Sequence, residues 1–344
     1  MNTGKCLLCK ETDATKTNSH IVPSFLVANV CSYDGSGKRD KEVMFTITPT
    51  KTTLYTGQLP DTKIEEIINT KNLTDERIEN ELMQNTASKD YIFCPDCESK
   101  LSVWLETPYS TYHKSGKAIS PDVSFFFWIS IIWRMSISQI FGFELPTELE
   151  NHLGAVLNRY LDCKTNGLEH EKIEHLVKEC NISYKILRCP SFLPRNSGFM
   201  GAIYSKEYNI LSFILGDTIV CVPFDGTISD SYSFWGAEKE MIAAPNNNGL
   251  EPEKILEVSE DFVKSINSNF IKKFAHIKVK FYQKFANDVW RELGLSGNIP
   301  RKIFKSFMES LLSEHTKLGD RHSSKNITNV LRQTLIDFGI LSPQ

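Results

Sequence analysis

No stretch of this 344-residue chain approaches the roughly 20 consecutive apolar residues that a membrane-spanning helix needs. Its longest apolar run goes only from Val123 to Trp133 and is closed by Arg134. A helix that crosses a bilayer is therefore excluded, and a helix buried in a globular core is expected in its place. Met1 to Lys5 is polar and lacks the apolar centre of a secretory leader, so the expected compartment is the reducing cytoplasm. A basic excess is also missing, with 39 Lys and Arg against 42 Asp and Glu and a net charge of -3. No global field draws the chain to nucleic acid, and any such surface has to be local. Internal repeats and low-complexity tracts are absent as well.

What remains is ordinary globular material. Hydrophobic residues make up 41% and charged residues 24%, enough for a sizeable core, and the length suggests two or three domains. Nine cysteines stand out for an expected cytoplasmic chain. Four of them form two C-x2-C pairs, Cys6–Cys9 and Cys94–Cys97. Each such pair presents two thiolates from one tight turn, and four thiolates complete a tetrahedral zinc shell with no open position for a catalytic water. The zinc is thus expected to be structural. Residues 10–93 separate the pairs, which reads either as two unrelated half-sites or, preferably, as one site interrupted by an insertion. The single cysteines Cys31, Cys163, Cys180, Cys189 and Cys221 read as small buried hydrophobes.

Along the chain, Phe25 to Val30 suggests a short helix or strand, Ser32–Asp40 an exposed loop, and Glu42–Thr56 one or two strands. Ile64–Asn69 and Asp75–Met83 have helical spacing, with Thr74 as a cap. Cys97, Leu101, Trp104 and Leu105 recur at helical intervals after the second pair, and a hairpin is expected over Tyr109–Ala118. Helices are expected over Val123–Trp133, Glu148–Leu161 and Glu169–Glu179. The pattern then becomes β-rich over Ile182–Leu187, Gly198–Ser205, Asn209–Leu215 and Thr218–Pro223, with a tight turn at Leu215–Thr218. Pro245–Gly249 reads as a turn-rich linker, with helices beyond it.

Several residues offer chemistry, each with a plainer alternative. His20, between the cysteine pairs, is a competent general base or a satisfied structural histidine. Glu98 is either a carboxylate favoured by the first turn of a helix or an oxygen ligand for Mg²⁺. Glu106, two turns on, falls on about the same face. Arg134, emerging from the apolar run, needs an anionic partner: a carboxylate by preference, otherwise a phosphate. Over Asn267–Phe285 an apolar stripe of Phe270, Phe274, Ile277, Phe281 and Phe285 is flanked by Lys272, Lys273, Lys278, Lys280 and Lys284, with no acidic residue between Asp261 and Asp288. That pattern reads as a solvated face or a nucleic-acid contact. His170 and His175 do not share a helical face, and His113, His152, His276, His315 and His322 carry no signal.

The order C-x2-C, then Ser19-His20-Ile21-Val22-Pro23, then Cys94-Pro-Asp-Cys97-Glu98 with Leu101, Ser102 and Trp104 resembles bacterial HNH-like proteins. Trp133 to Ser136 resembles the helix that follows their finger. The resemblance covers Cys6–Pro23, Cys94–Glu106 and that helix. It implies a treble-clef (ββα-metal) zinc finger framing a nuclease site, with Cys6, Cys9, Cys94 and Cys97 on zinc and His20 activating water against a phosphodiester. Ser19 stands where active members usually carry Asp or His, Lys89 and Asp90 where they carry Asn, and Glu98 where they carry a metal-binding His. Under this reading Glu98, with Asp90 and Ser19, would hold Mg²⁺ or Mn²⁺, and the partner is nucleic acid, DNA before RNA, in phage defence or a mobile element. The alternative is a catalytically inactive zinc-finger module that binds nucleic acid or a protein partner. The expected fold is α+β: residues 1–115 an HNH-like zinc-finger domain with insertion 24–90, residues 116–250 helical plus a small antiparallel sheet, and residues 251–344 a helical C-terminal region.

Overall fold

The computed structural model describes residues 4–17, 19–27, 43–47, 52–56, 88–167, 170–192, 200–229, 232–312 and 324–342. The loop expected at Ser32–Asp40, the helices expected at Ile64–Asn69 and Asp75–Met83 with the Thr74 cap, and Cys31 lie outside the described residues.

A two-residue strand β1 (Ser19–His20) pairs antiparallel with β4 (Ser88–Lys89), Ser19 opposite Lys89 and His20 opposite Ser88. Between them lie α1 (Ser24–Val27) and a hairpin of β2 (Val43–Ile47) and β3 (Thr52–Thr56), where the β-branched alternation predicts strands. The second cysteine pair opens α2 (Pro95–Leu101), which passes through a π-helical turn (Ser102–Glu106) into α3 (Thr107–Ser115). The expected hairpin at Tyr109–Ala118 is therefore overturned. Pro108 follows directly on the π-helical turn in an unbroken helical path, Thr107 N–H still donating to the Ser102 carbonyl, and Gly116 ends the helix in the left-handed region at φ 67°. Burial decides the conformation: the Tyr109 ring stacks on Phe127 with centroids 3.8 Å apart, a contact the local composition does not reveal.

Helix α4 (Pro121–Ser138) is the centre of the molecule, and of its residues only Pro121 and Ile137 are not buried. A helix apolar all round has to be covered on every side. Helices α5 (Thr147–Thr165) and α6 (His170–Cys180) cover part of it. Gly154 of α5 is needed for this approach, since a Cβ there would stand 2.9 Å from Trp133 Nε1.

A five-stranded sheet follows in the order β6-β7-β8-β5-β9, comprising β5 (Lys185–Arg188), β6 (Met200–Ser205), β7 (Ile210–Leu215), β8 (Thr218–Pro223) and β9 (Leu256–Glu257). All its pairings are antiparallel except β5 with β9. The expected turn between β7 and β8 holds, with Gly216 at φ 62°. Both faces are buried. Leu211, Phe213, Val220 and Val222 join the core around α4, whereas Ile210, Ile214, Ile219 and Cys221 join a second core with Phe234, Trp235, Met241, Ile266 and Phe270. Helix α7 (Glu238–Ala243) and the N-terminal half of the long α8 (Glu260–Glu292) supply much of that second core. The C-terminal half of α8 (Tyr282, Ala286, Trp290) packs instead with α9 (Arg301–Leu311) and α10 (Ser324–Asp337).

The Pro245–Gly249 stretch does not behave as a free linker. Asn247 exchanges backbone hydrogen bonds with Tyr184 at 2.8 and 3.1 Å, and beyond it the Glu253 carboxylate enters the core, accepting from Tyr109, Trp128 and Tyr184 at 2.9 to 3.0 Å. Three buried donors converge on one acidic side chain, and that is a long-range fact no turn propensity predicts.

Candidate metal centre

The first cysteine pair sits on a tight loop. Cys6 N–H donates to the Thr12 carbonyl at 2.8 Å, and Lys10 N–H, at φ 61°, closes the knuckle on the Cys6 carbonyl at 2.9 Å. The second pair sits where α2 begins: Cys94 is the N-cap, Pro95 occupies the first turn, and Cys94 Sγ accepts from Cys97 N–H at 3.5 Å. The two knuckles are joined by backbone, not by cysteine chemistry alone. Leu7 N–H donates to the Ile92 carbonyl, Lys16 N–H to the Phe93 carbonyl and Tyr91 N–H to the Lys16 carbonyl, at 2.8 to 3.0 Å. Cys6, Leu8, Phe93, Cys94 and Cys97 then enter the core that also holds α4, and Phe93 stacks on Trp133 at 5.9 Å.

The outcome is that the sulfurs of Cys6, Cys9, Cys94 and Cys97 all lie within 4.8 Å of one another. Sulfurs about 2.3 Å from a tetrahedral zinc are about 3.8 Å apart, so the four fit one ion such as zinc. Their electrostatics call for a cation. The hydrogen bond from Cys97 pulls the Cys6 thiol down to about 4, while the Cys6 bond and burial push Cys97 far up, because adjoining sulfurs cannot share negative charge unaided. Among the described residues these four are the one group of such side chains close enough to hold a metal.

Beside the sulfurs lies a small polar cluster. Glu98 follows Cys97 directly. Burial raises its carboxyl above the usual range, opposed by the Arg134 charge and by the Ser19 hydroxyl. Ser19 is fully buried, yet neither Ser19 Oγ nor Glu98 Oε2 completes a hydrogen bond of ordinary geometry. Glu106 lies near enough to act on Glu98, as the shared helical face predicts, but its Oε1 takes a hydrogen bond from Arg134 Nη1 at 2.6 Å. The anionic partner expected for Arg134 is therefore a carboxylate. The same Nη1 also donates to the His20 carbonyl at 2.8 Å. His20 is half-buried on β1. Asp90 stands exposed beyond β4, and Lys89 Nζ is turned away to the Ser138 carbonyl at 2.8 Å. Ser19, Glu98, Glu106 and Arg134 thus act on one another beside the second cysteine pair, and His20 joins them through its backbone carbonyl.

A second polar cluster was silent in the sequence. His113 of α3 meets Arg188 Nη2 at 3.5 Å, and Arg188 Nε pairs with the buried Asp217 at 3.0 Å. Burial, then the Arg188 charge, lowers the imidazole to about 4. Three single cysteines fit their plain reading: Cys180, Cys189 and Cys221 are buried, with Cys180 and Cys221 pushed up to about 12 by desolvation, whereas Cys163 is half-buried.

Fold and site define a mixed α/β protein whose N-terminal unit carries a group of four cysteines, packed into the main core, that could hold a metal ion such as zinc. No described helix is long and apolar enough to cross a membrane. No family model, curated protein or solved structure matches the chain.

Proposed function

We propose that the chain is a divergent HNH-like nuclease that hydrolyses phosphodiester bonds in nucleic acid, DNA before RNA, from a treble-clef zinc finger. The observation that carries this reading is the pair of buried oxygens, Ser19 Oγ and Glu98 Oε2, that complete no hydrogen bond of ordinary geometry next to the second pair of the four-cysteine group. Buried polar atoms without partners are costly, and such a pair fits a hard cation. Glu98 and Ser19 would hold Mg²⁺ or Mn²⁺ there, which when bound supplies charge stabilisation at the phosphoryl group. His20 accepts the proton of the attacking water. Arg134 holds the backbone that carries His20 by donating to its carbonyl.

Plasmid nicking tests the reading. Wild type should nick with added Mg²⁺ or Mn²⁺, and His20→Ala and Glu98→Ala should lose the activity while keeping their zinc. Wild type that never cuts under either metal refutes it. One observation favours a second reading, a finger kept as a binding module: Glu106 is taken by Arg134 and Asp90 is exposed, so Glu98 is left as the one acidic ligand in the cluster. Retained binding without cleavage would select that reading.

A further inference from the structure

Helix α8 joins two separate apolar cores, Ile266 and Phe270 entering one and Tyr282, Ala286 and Trp290 the other. Between these anchors one face stays in solvent. Lys272, His276, Lys280 and Lys284 are exposed and four residues apart, so they follow one shallow spiral about 18 Å long. No acidic residue occurs in the helix between Asp261 and Asp288 to neutralise it. The structure separates these lysines from their neighbours: Lys278 is buried over the Tyr282 ring, and Lys273 is half-buried. A net charge of -3 makes such a one-signed strip a local exception.

We propose that this face of α8 docks the phosphate backbone of duplex DNA, with Lys272, Lys280 and Lys284 as the phosphate contacts. Charge complementarity argues for a polyanion, and the spacing gives three ammonium groups along a single line. A membrane surface fits less well. Interfacial helices bury a broad apolar face set with Trp, Phe or Leu, whereas the exposed large apolar side chains described on α8 are Ile271 and Val279. The proposal rests on the reading of the chain as a nucleic-acid protein but not on the cleavage step.

The test is fluorescence anisotropy with a labelled 30-bp DNA duplex, without added Mg²⁺ or Mn²⁺, across a salt series. The triple variant Lys272→Glu/Lys280→Glu/Lys284→Glu should bind at least about tenfold more weakly at low salt, with the slope of log K on log salt reduced by about 2 to 3. A control triple of equal charge, Lys114→Glu/Lys117→Glu/Lys206→Glu at other exposed positions, should bind like wild type. The neutral triple with Gln at 272, 280 and 284 gives the same reading if the acidic one melts early. Equal loss in the control, an unchanged slope, or binding to phosphatidylserine vesicles in place of the duplex overturns the proposal. Nicking that survives the loss of this surface leaves the nuclease reading standing without it. Binding through this surface with no nicking leaves it standing alone.

Discussion

Arg134 Nη1 lies 2.6 Å from Glu106 Oε1 and 2.8 Å from the His20 carbonyl, so one buried cation ties α4 to the π-helical turn and to β1. The Arg134 side chain is only 2% exposed, and its Nε and Nη2 add hydrogen bonds to the Ser130 carbonyl and hydroxyl. A guanidinium in that setting is tolerable because four hydrogen bonds, one of them to a carboxylate, meet its five N–H groups, and removing one partner strands the others. Arg134→Ala should therefore lower stability by about 3 to 5 kcal/mol in urea unfolding. Glu106→Gln should cost about 1 to 3 kcal/mol, and the double variant less than the sum. Strict additivity would show that the pair does not act as a unit.

The cysteine centre separates metal loss from site loss. Cys94→Ser should reduce bound zinc well below one per chain and melt far earlier, since the free energy of binding a structural metal is also folding free energy. Glu98→Ala should keep full zinc occupancy by elemental analysis, because its carboxylate lies beside the sulfurs and not among them. Equal zinc loss in both variants would place Glu98 on the metal.

Glu253 makes stability depend on pH. Burial raises its carboxyl to about 7 against the pull of Tyr109, Tyr184 and Trp128, whereas an unfolded glutamate titrates at about 4.3. Below about pH 4 both states keep the proton and the shift has no effect. From there to pH 7 the unfolded chain ionises first, so stability falls by roughly 3 kcal/mol and then levels. Glu253→Gln, which can still take Trp128 and Tyr184 on its oxygen, should be stabilised relative to wild type at pH 8 and nearly equal at pH 4. Urea midpoints at the two pH values check this, and the difference between proteins cancels other groups such as His113. Parallel profiles would mean that Glu253 is ionised in the native state throughout.

Gly249 is a backbone requirement. It has φ +78°, and a Cβ would stand 2.6 Å from Phe125 Cγ. Gly249→Ala should therefore cost more than about 2 kcal/mol, combining left-handed strain with displacement of a core ring. Gly167→Ala, at φ +63° but facing open space, should cost about 1 kcal/mol. Similar losses at both positions would show that backbone strain alone governs Gly249.

Much of the local structure was legible because its causes are local. The alternation over Glu42–Thr56, the β7–β8 turn and the helices over Val123–Trp133 and Glu148–Leu161 follow from side-chain period and turn chemistry. Tyr109 suits a strand on local grounds, as aromatic and hydroxyl residues do, while its place is fixed by Phe127 and Glu253 from distant segments. Lys278 shows the same limit: its position on a flanking row looks like Lys280, but packing over Tyr282 buries one and leaves the other in water.

By itself the sequence determined the two C-x2-C knuckles, the apolar helix and the need of Arg134 for an anion, since each depends on residues a few positions apart. Only the tertiary structure decided that the knuckles meet around one point, that Glu106 answers Arg134, and that the Ser19 hydroxyl is buried against Glu98. Those outcomes depend on backbone pairing of residues 7–16 with 91–93 and on a core shared with α4, contacts between segments whose separation along the chain carries no periodic trace.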